Sequence, residues 1–134
     1  MATLNEDAKN LLRRPLYAWA TTLYADGSPH NTVVWVDVDG DQVIMNTAVG
    51  RAKERHLRRD PRVAVSVLDP DDGFHLVSVT GTAELDEASG DAVIDALAKK
   101  YLGVDSYPYR TPTEQRITVR ITPDRVVYSP GESH

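Results

Sequence analysis

Apolar and polar residues alternate along most of this chain, with short helical patterns in between. Residues 4–13 place Leu4, Ala8, Leu11 and Leu12 at helical spacing. Thr3 and Glu6 ahead of them are spaced like a capping box, and Pro15 ends the segment. Residues 16–24 are rich in aromatic and β-branched types and read as a strand; Asp26-Gly27 then signals a hairpin turn. Residues 29–38 form the return strand, with valines on both of its faces. Asp39-Gly40 turns again into a strand over 42–47. The pattern predicts two consecutive hairpins, an antiparallel meander.

A helix-like segment covers 51–59 and stops at Asp60-Pro61, because the residue before proline is pushed out of the helical region. Strands are expected over 62–68 and 74–85, joined by the acidic loop 69–73. Gly81 inside the second marks a bulge or a close backbone approach. Val93, Ile94, Leu97 and Tyr101 share one face of a helix over 87–102, and Gly103 stands where a C-terminal cap belongs. After a loop carrying Tyr107-Pro108-Tyr109, strands follow over 116–121 and 125–129, with a turn at Pro123-Asp124 and a loose tail over 130–134. Hairpins dominate and βαβ alternation is not sustained. The expectation is a single domain over 1–134, mainly β with peripheral helices, in the form of a small antiparallel barrel.

Charge adds the most informative detail. The chain carries a net charge of -5, yet Arg51, Lys53, Arg55, Arg58 and Arg59, five of its 15 basic residues, crowd into one short segment. A strand end, Gly50 and the start of a helix precede or hold these cations. Unpaired amides and the helix dipole favour an anion at such a place. Arg51 and Lys53, at the turn, are the candidate anion ligands; Arg55, Arg58 and Arg59 read as the more solvated side of the helix. The mild overall acidity argues against nucleic acid as a partner. No apolar stretch approaches the roughly 20 residues that span a bilayer, and no signal peptide is evident. The absence of cysteine excludes disulfides, thiolate metal sites and a cysteine nucleophile, and agrees with a cytoplasmic protein. His30, His56, His75 and His134 lack metal-ligand spacing, so no metal site is expected. The acidic loop lacks spaced calcium ligands. There is no hydrolase elbow and no Gly-x-Gly-x-x-Gly loop. Trp19 and Trp35 read as core residues more readily than as stacking partners.

Three runs carry a resemblance: Ser-Pro-His-Asn-Thr-Val-Val-Trp at 28–35, Gly-Arg-Ala-Lys-Glu-Arg-His-Leu-Arg-Arg-Asp-Pro-Arg-Val at 50–63, and Gly-Thr-Ala-Glu-Leu at 81–85. Together they resemble the pyridoxamine 5′-phosphate oxidase-like split-barrel superfamily, also described as the FMN-binding split barrel. The central run is most similar to its flavin/deazaflavin oxidoreductase branch, whose members use coenzyme F-420; His56 stands where asparagine is common there. The resemblance implies a split β-barrel and a homodimer with cofactor sites at the interface. It assigns Arg51 and Lys53 to the acidic groups of the cofactor, and the backbone of Asn46 and Thr47 to the edge of its ring. His30, Val33 and Trp35 are expected on the strand lining the ring pocket, and Phe74 near the site, supplied by a second copy. Arg55 would meet the acidic tail.

The implied activity is hydride transfer from the reduced deazaflavin to an electron-poor small-molecule substrate. Alternatives are an FMN-binding flavoprotein of the same barrel, and a non-enzymatic carrier of the deazaflavin or haem. No residue pattern singles out a catalytic acid: water, His30 or a tyrosine is left to protonate the product. The chain is short for a true pyridoxamine phosphate oxidase and lacks the arginine-rich C-terminal segment of those enzymes, so oxidation of vitamin B6 is not expected.

Overall fold

The computed structural model describes residues 2–132. Three helices, α1 (Glu6–Arg13), α2 (Ala52–Arg59) and α3 (Gly90–Leu102), accompany seven strands: β1 (Ala18–Leu23), β2 (Pro29–Val34), β3 (Asp37–Asp39), β4 (Gln42–Ala48), β5 (Arg62–Leu68), β6 (His75–Asp86) and β7 (Arg116–Pro130). All pairings are antiparallel, in the order β2-β1-β5-β6-β7-β4-β3.

That order explains why the barrel is split. β2 and β3 are the two edges of the sheet, yet Trp35 and Val36 alone separate them in sequence. At 3.8 Å per peptide step, this link holds the two edges within about 11 Å of each other there. The sheet must curl until its edges meet without pairing. The single strand expected over 29–38 is therefore broken in the middle: one segment serves both edges. The end of α3 stitches the seam. Val36 N–H donates to the Tyr101 hydroxyl at 3.1 Å, and Lys100 Nζ donates to the carbonyls of Val36 (2.5 Å) and Leu12 (2.7 Å). Tyr101 in turn donates to Leu16 O at 2.6 Å, and burial pushes its pKa up to about 12.

The core fills the inside of the curl. β5 shows the alternation most plainly, with Val63, Val65 and Val67 buried between more exposed neighbours. Val43, Met45, Val77, Val79, Val119 and Ile121 complete it, capped by Leu4, Ala8, Leu11 and Leu12 of the N-terminal segment. The helix start is not the expected capping box: Asn5 is the N-cap, and its side chain accepts from Ala8 N–H at 2.7 Å. This satisfies one of the unpaired amides of the first turn.

β6 and β7 form the spine. The two strands expected near 116–121 and 125–129 are one continuous β7, because Pro123 falls opposite Gly81, where the register shifts. A Cβ on Gly81 would lie 2.3 Å from Thr122 O, so glycine at this bend is required by the close approach. At the end of β7, Pro130 pairs with His75, Gly131 is buried and Glu132 N–H donates to Asp72 at 2.9 Å. The expected loose tail is thus held as far as residue 132; its last two residues lie outside the described ones.

The outer face of the sheet is uncharged along one line, apolar at both ends with two serines between. Val33 pairs with Trp19, Trp19 with Ser66, Ser66 with Ser78 and Ser78 with Val127, so these five share a face. Trp19 is 54% exposed there rather than in the core, with Tyr17 and Leu68 exposed nearby.

Candidate functional site

A cleft of about 240 Å³ opens where the seam, β4, α2, α3 and the start of β7 meet. Its lining combines two chemistries. Arg51, Lys53 and Arg116 supply positive charge, while Tyr17, Trp35, Tyr107 and Tyr109 form an aromatic wall. Val33, Val34, Asn46, Thr47, Ile94 and Leu97 line the rest.

The cations are placed by the β4–α2 turn. Gly50 adopts φ 90°, the left-handed region where glycine has no Cβ penalty, and lets the chain reverse from β4 into α2. Arg51 is the N-cap of α2 and makes no side-chain capping bond, which leaves its guanidinium 59% exposed toward the cleft mouth. Lys53 lies deeper and donates from Nζ to Thr32 Oγ1 at 3.1 Å. Burial, and then the nearby charge of Arg51, hold its pKa below the usual lysine value. An incoming anion offsets the repulsion from Arg51 and attracts a shielded ammonium more strongly than one in open water. Glu54 caps the turn by accepting from Gly50 N–H at 2.8 Å, and this bond chiefly lowers its pKa. It also pairs with Arg58, which bridges to Glu87 at 2.9 Å. Arg58 is therefore a structural tie. Arg55 donates to Gly50 O, stays exposed, and does not line the cleft.

Arg116 is a site residue that the sequence pattern hid, since it reads as the wet face of an alternating strand. Its side chain is only 4% exposed. Asn46 Oδ1 accepts from Arg116 Nε at 2.9 Å, and the guanidinium lies 5.1 Å over the Tyr107 ring. Asn46 Nδ2 donates to Gly90 O at 2.9 Å. The Asn46 side chain is thus a bracket between α3 and β7, and only its backbone remains for a ligand. Thr47 is different. Its Oγ1 is buried at the cleft and has no hydrogen-bond partner. An unpaired buried hydroxyl costs free energy unless something satisfies it.

The aromatic wall is ordered by stacking. Trp35 lies 5.2 Å from Tyr101 with an interplanar angle of 11°, and Tyr107 meets it edge-on at 6.2 Å. Tyr109 packs edge-on against Tyr107 at 5.7 Å. Their loop is pinned to α3: Asp95 accepts from Tyr107 N–H at 2.9 Å and from Arg110 at 2.5 Å.

Residues 4–129 match the family described as pyridoxamine 5′-phosphate oxidase. The chain belongs to that family. Among solved structures, an F-420 reductase is similar at 28% identity and a TM-score of 0.80, covering 92% of this chain and 98% of that one. A conserved hypothetical protein from Mycobacterium tuberculosis is similar at 25% identity and a TM-score of 0.78, covering 97% of this chain and 86% of that one. A heme binding protein from Mycobacterium smegmatis, at 20% identity and a TM-score of 0.71, covers 100% of this chain and 57% of its own and shares the fold. These likenesses agree on the split-barrel architecture.

Within this family frame, the cleft gathers Arg51, Lys53, Asn46, Thr47, Val33 and Trp35 of the residues expected from sequence. It does not gather His30. That ring packs between Tyr24 (5.2 Å) and His56 (5.0 Å), with Nδ1 buried and unpartnered, away from the cleft lining. His30 therefore does not line the cleft of the single chain; Tyr17, Tyr107 and Tyr109 are the tyrosines that do. His56 is held by Thr22 Oγ1 at 2.8 Å, and burial, then the proximity of His30, depress its pKa. His75 belongs to a third place, bonded to Asp69 (2.9 Å) and Tyr128 (3.2 Å). Phe74 is 60% exposed in the β5–β6 loop, beside Asp71 and Asp72, outside this chain's cleft.

Proposed function

We propose that this chain is a reductase that uses coenzyme F-420 to deliver hydride to an electron-poor small-molecule substrate. The observation that carries the reading is the lining of the cleft, which brings three cations and an aromatic wall together. A planar ring bearing an acidic chain has this chemistry. The likeness to an F-420 reductase supports the same choice.

The residues present fit such a group. Arg51 and Lys53 would take its phosphate and acidic chain, with charge-assisted bonds stronger than neutral ones. The unpaired Thr47 hydroxyl offers a hydrogen bond to the bound group, and Trp35 and Tyr107 would flank the ring and exclude water. Bound there, the coenzyme supplies the hydride chemistry. A cleft tyrosine or water serves as the proton source. Arg55, exposed on α2, can attract the acidic tail at longer range.

Side-by-side titration tests the reading. Coenzyme F-420 is expected to bind more tightly than FMN, and the reduced form to be oxidised only when a conjugated acceptor such as a quinone is added. FMN binding at least as tightly, with hydrogen peroxide formed on reduction, replaces the reading with an FMN flavoprotein. Binding of the deazaflavin or haem without turnover makes the chain a carrier.

The homodimer is part of the same proposal. Val33 lines the cleft and also begins the uncharged row that runs through Trp19 to Val127. A second copy docked on this row would roof the cleft, and Phe74 from that copy is the proposed aromatic neighbour. Exposed apolar surface of this kind marks an association site. Light scattering at micromolar concentration is expected to report about twice the 14.8 kDa chain mass. Trp19→Lys is expected to give a monomer that has lost cofactor affinity. A wild-type monomer with full affinity overturns the shared site. The cysteine-free, mildly acidic composition accords with a cytoplasmic enzyme.

A further inference from the structure

Glu114 stands just before β7, and its carboxylate sits between two of the cleft cations. Oε2 lies 3.7 Å from Arg51 Nη2 and 3.4 Å from Arg116 Nη1. Among the described residues, no other carboxylate comes within 4.0 Å of Arg51, Lys53 or Arg116. The side chain is 11% exposed, and Oε1 is buried with no hydrogen-bond partner. A carboxylate left half satisfied is a poor stabilising device. Nor is it needed to position Arg116, which Asn46 and the Tyr107 ring already hold from other sides.

We propose that Glu114 is a built-in counter-anion that sets how much negative charge the cleft accepts. This rests on reading the cleft as an anion site. Three cations against one carboxylate leave a formal surplus of two positive charges. That surplus matches a dianionic phosphate monoester, or a phosphodiester accompanied by one carboxylate. Without Glu114 the surplus is three, and the cleft favours more highly charged anions. Because the carboxylate is largely shielded from solvent, its repulsion of a ligand anion is weakly screened by salt. Glu114 is therefore a specificity-determining residue that weakens binding of excess charge, and its removal should tighten it.

The sign of the effect makes the test. Inorganic pyrophosphate and inorganic phosphate are titrated calorimetrically into the wild type and Glu114→Gln, which keeps the shape and an acceptor for Arg116. Pyrophosphate is expected to bind the variant about tenfold more tightly, the order expected for removing one nearby like charge, with a smaller gain for phosphate. Glu114→Ala is expected to move affinity the same way. Thermal melting without ligand checks that both variants remain folded. Unchanged or weaker anion binding by both variants overturns the proposal and makes Glu114 a support for Arg116. Coenzyme F-420 and FMN are titrated in parallel. Tighter pyrophosphate with no binding of either cofactor sustains the counter-anion and removes the cofactor reading. Cofactor binding that is equal in all three proteins, with unchanged pyrophosphate affinity, does the reverse.

Discussion

Lys53→Ala is expected to weaken binding of the anionic cofactor by roughly tenfold or more, and to cost more than Arg51→Ala. A hydrogen bond to a charged group is worth about 1.5–3 kcal/mol, and about 1.4 kcal/mol is one decade of affinity. Lys53 should deliver the larger share because it is held by Thr32 and shielded from water, whereas Arg51 is more than half exposed. Arg62, paired with Asp60 at 2.7 Å on the exposed start of β5, is the control; Arg62→Ala is expected to leave affinity unchanged. Equal losses at all three positions would mean diffuse electrostatics and no defined grip.

The pH dependence follows from the direction of the Lys53 shift. Burial and Arg51 lower its pKa from 10.5 in the ligand-free protein. Between the lowered value and 10.5 the unfolded chain binds more protons, so the free protein gains stability as pH rises through that window. Ligand binding has the opposite sign. The anion favours the charged lysine, so affinity is greatest below the lowered pKa and declines as pH climbs through it. Titrations at increasing alkaline pH check this, and Lys53→Arg should flatten the decline, because arginine stays charged.

Gly90→Ala is expected to be the most damaging single methyl group in the protein. A Cβ there would lie 1.9 Å from Arg116 O and 2.3 Å from Arg116 C. Both are backbone atoms of the spine strand, so no side chain can swing away. Overpacking of this kind costs about 1–3 kcal/mol or more. For a chain of this size that corresponds to a fall of roughly 5–15 °C in melting temperature. The loss should be local in its functional effect as well. Gly90 O accepts from Asn46, and Asn46 orients Arg116, so any folded fraction should bind anions poorly. A variant with an unchanged melting curve and unchanged phosphate affinity would show that α3 can lift off β7 freely.

Much of this was legible in the sequence because it depended on local chemistry. The alternation in 62–68, the glycine cap after α3 and the close approach at Gly81 each follow from one residue and its immediate neighbours. So did Arg51 and Lys53, whose placement is fixed by a turn. What stayed hidden depended on contacts between distant segments. Nothing local in 29–38 says that Trp35 and Val36 carry the chain from one edge of the sheet to the other. Arg116 alternates like a surface residue and is buried only because Asn46 and Tyr107 arrive from elsewhere. His30 lies outside the single chain's cleft for the opposite reason. Its strand does border the cleft, but its side chain points to Tyr24 and His56, and a resemblance between strands does not transmit that difference.

The seam at Trp35 and Val36 has a mechanical consequence. The two wings of the barrel share no hydrogen-bond ladder there, only a short covalent hinge and the clasp formed by Lys100 and Tyr101. The cleft takes Val33, Val34 and Trp35 from the hinge side, and Asn46, Thr47 and Arg116 from the other wing. A molecule seated in it spans the gap like a rivet. A ligand bound to both wings would favour the closed barrel by as much as it prefers that form to an opened one, and would bridge two strands that never pair.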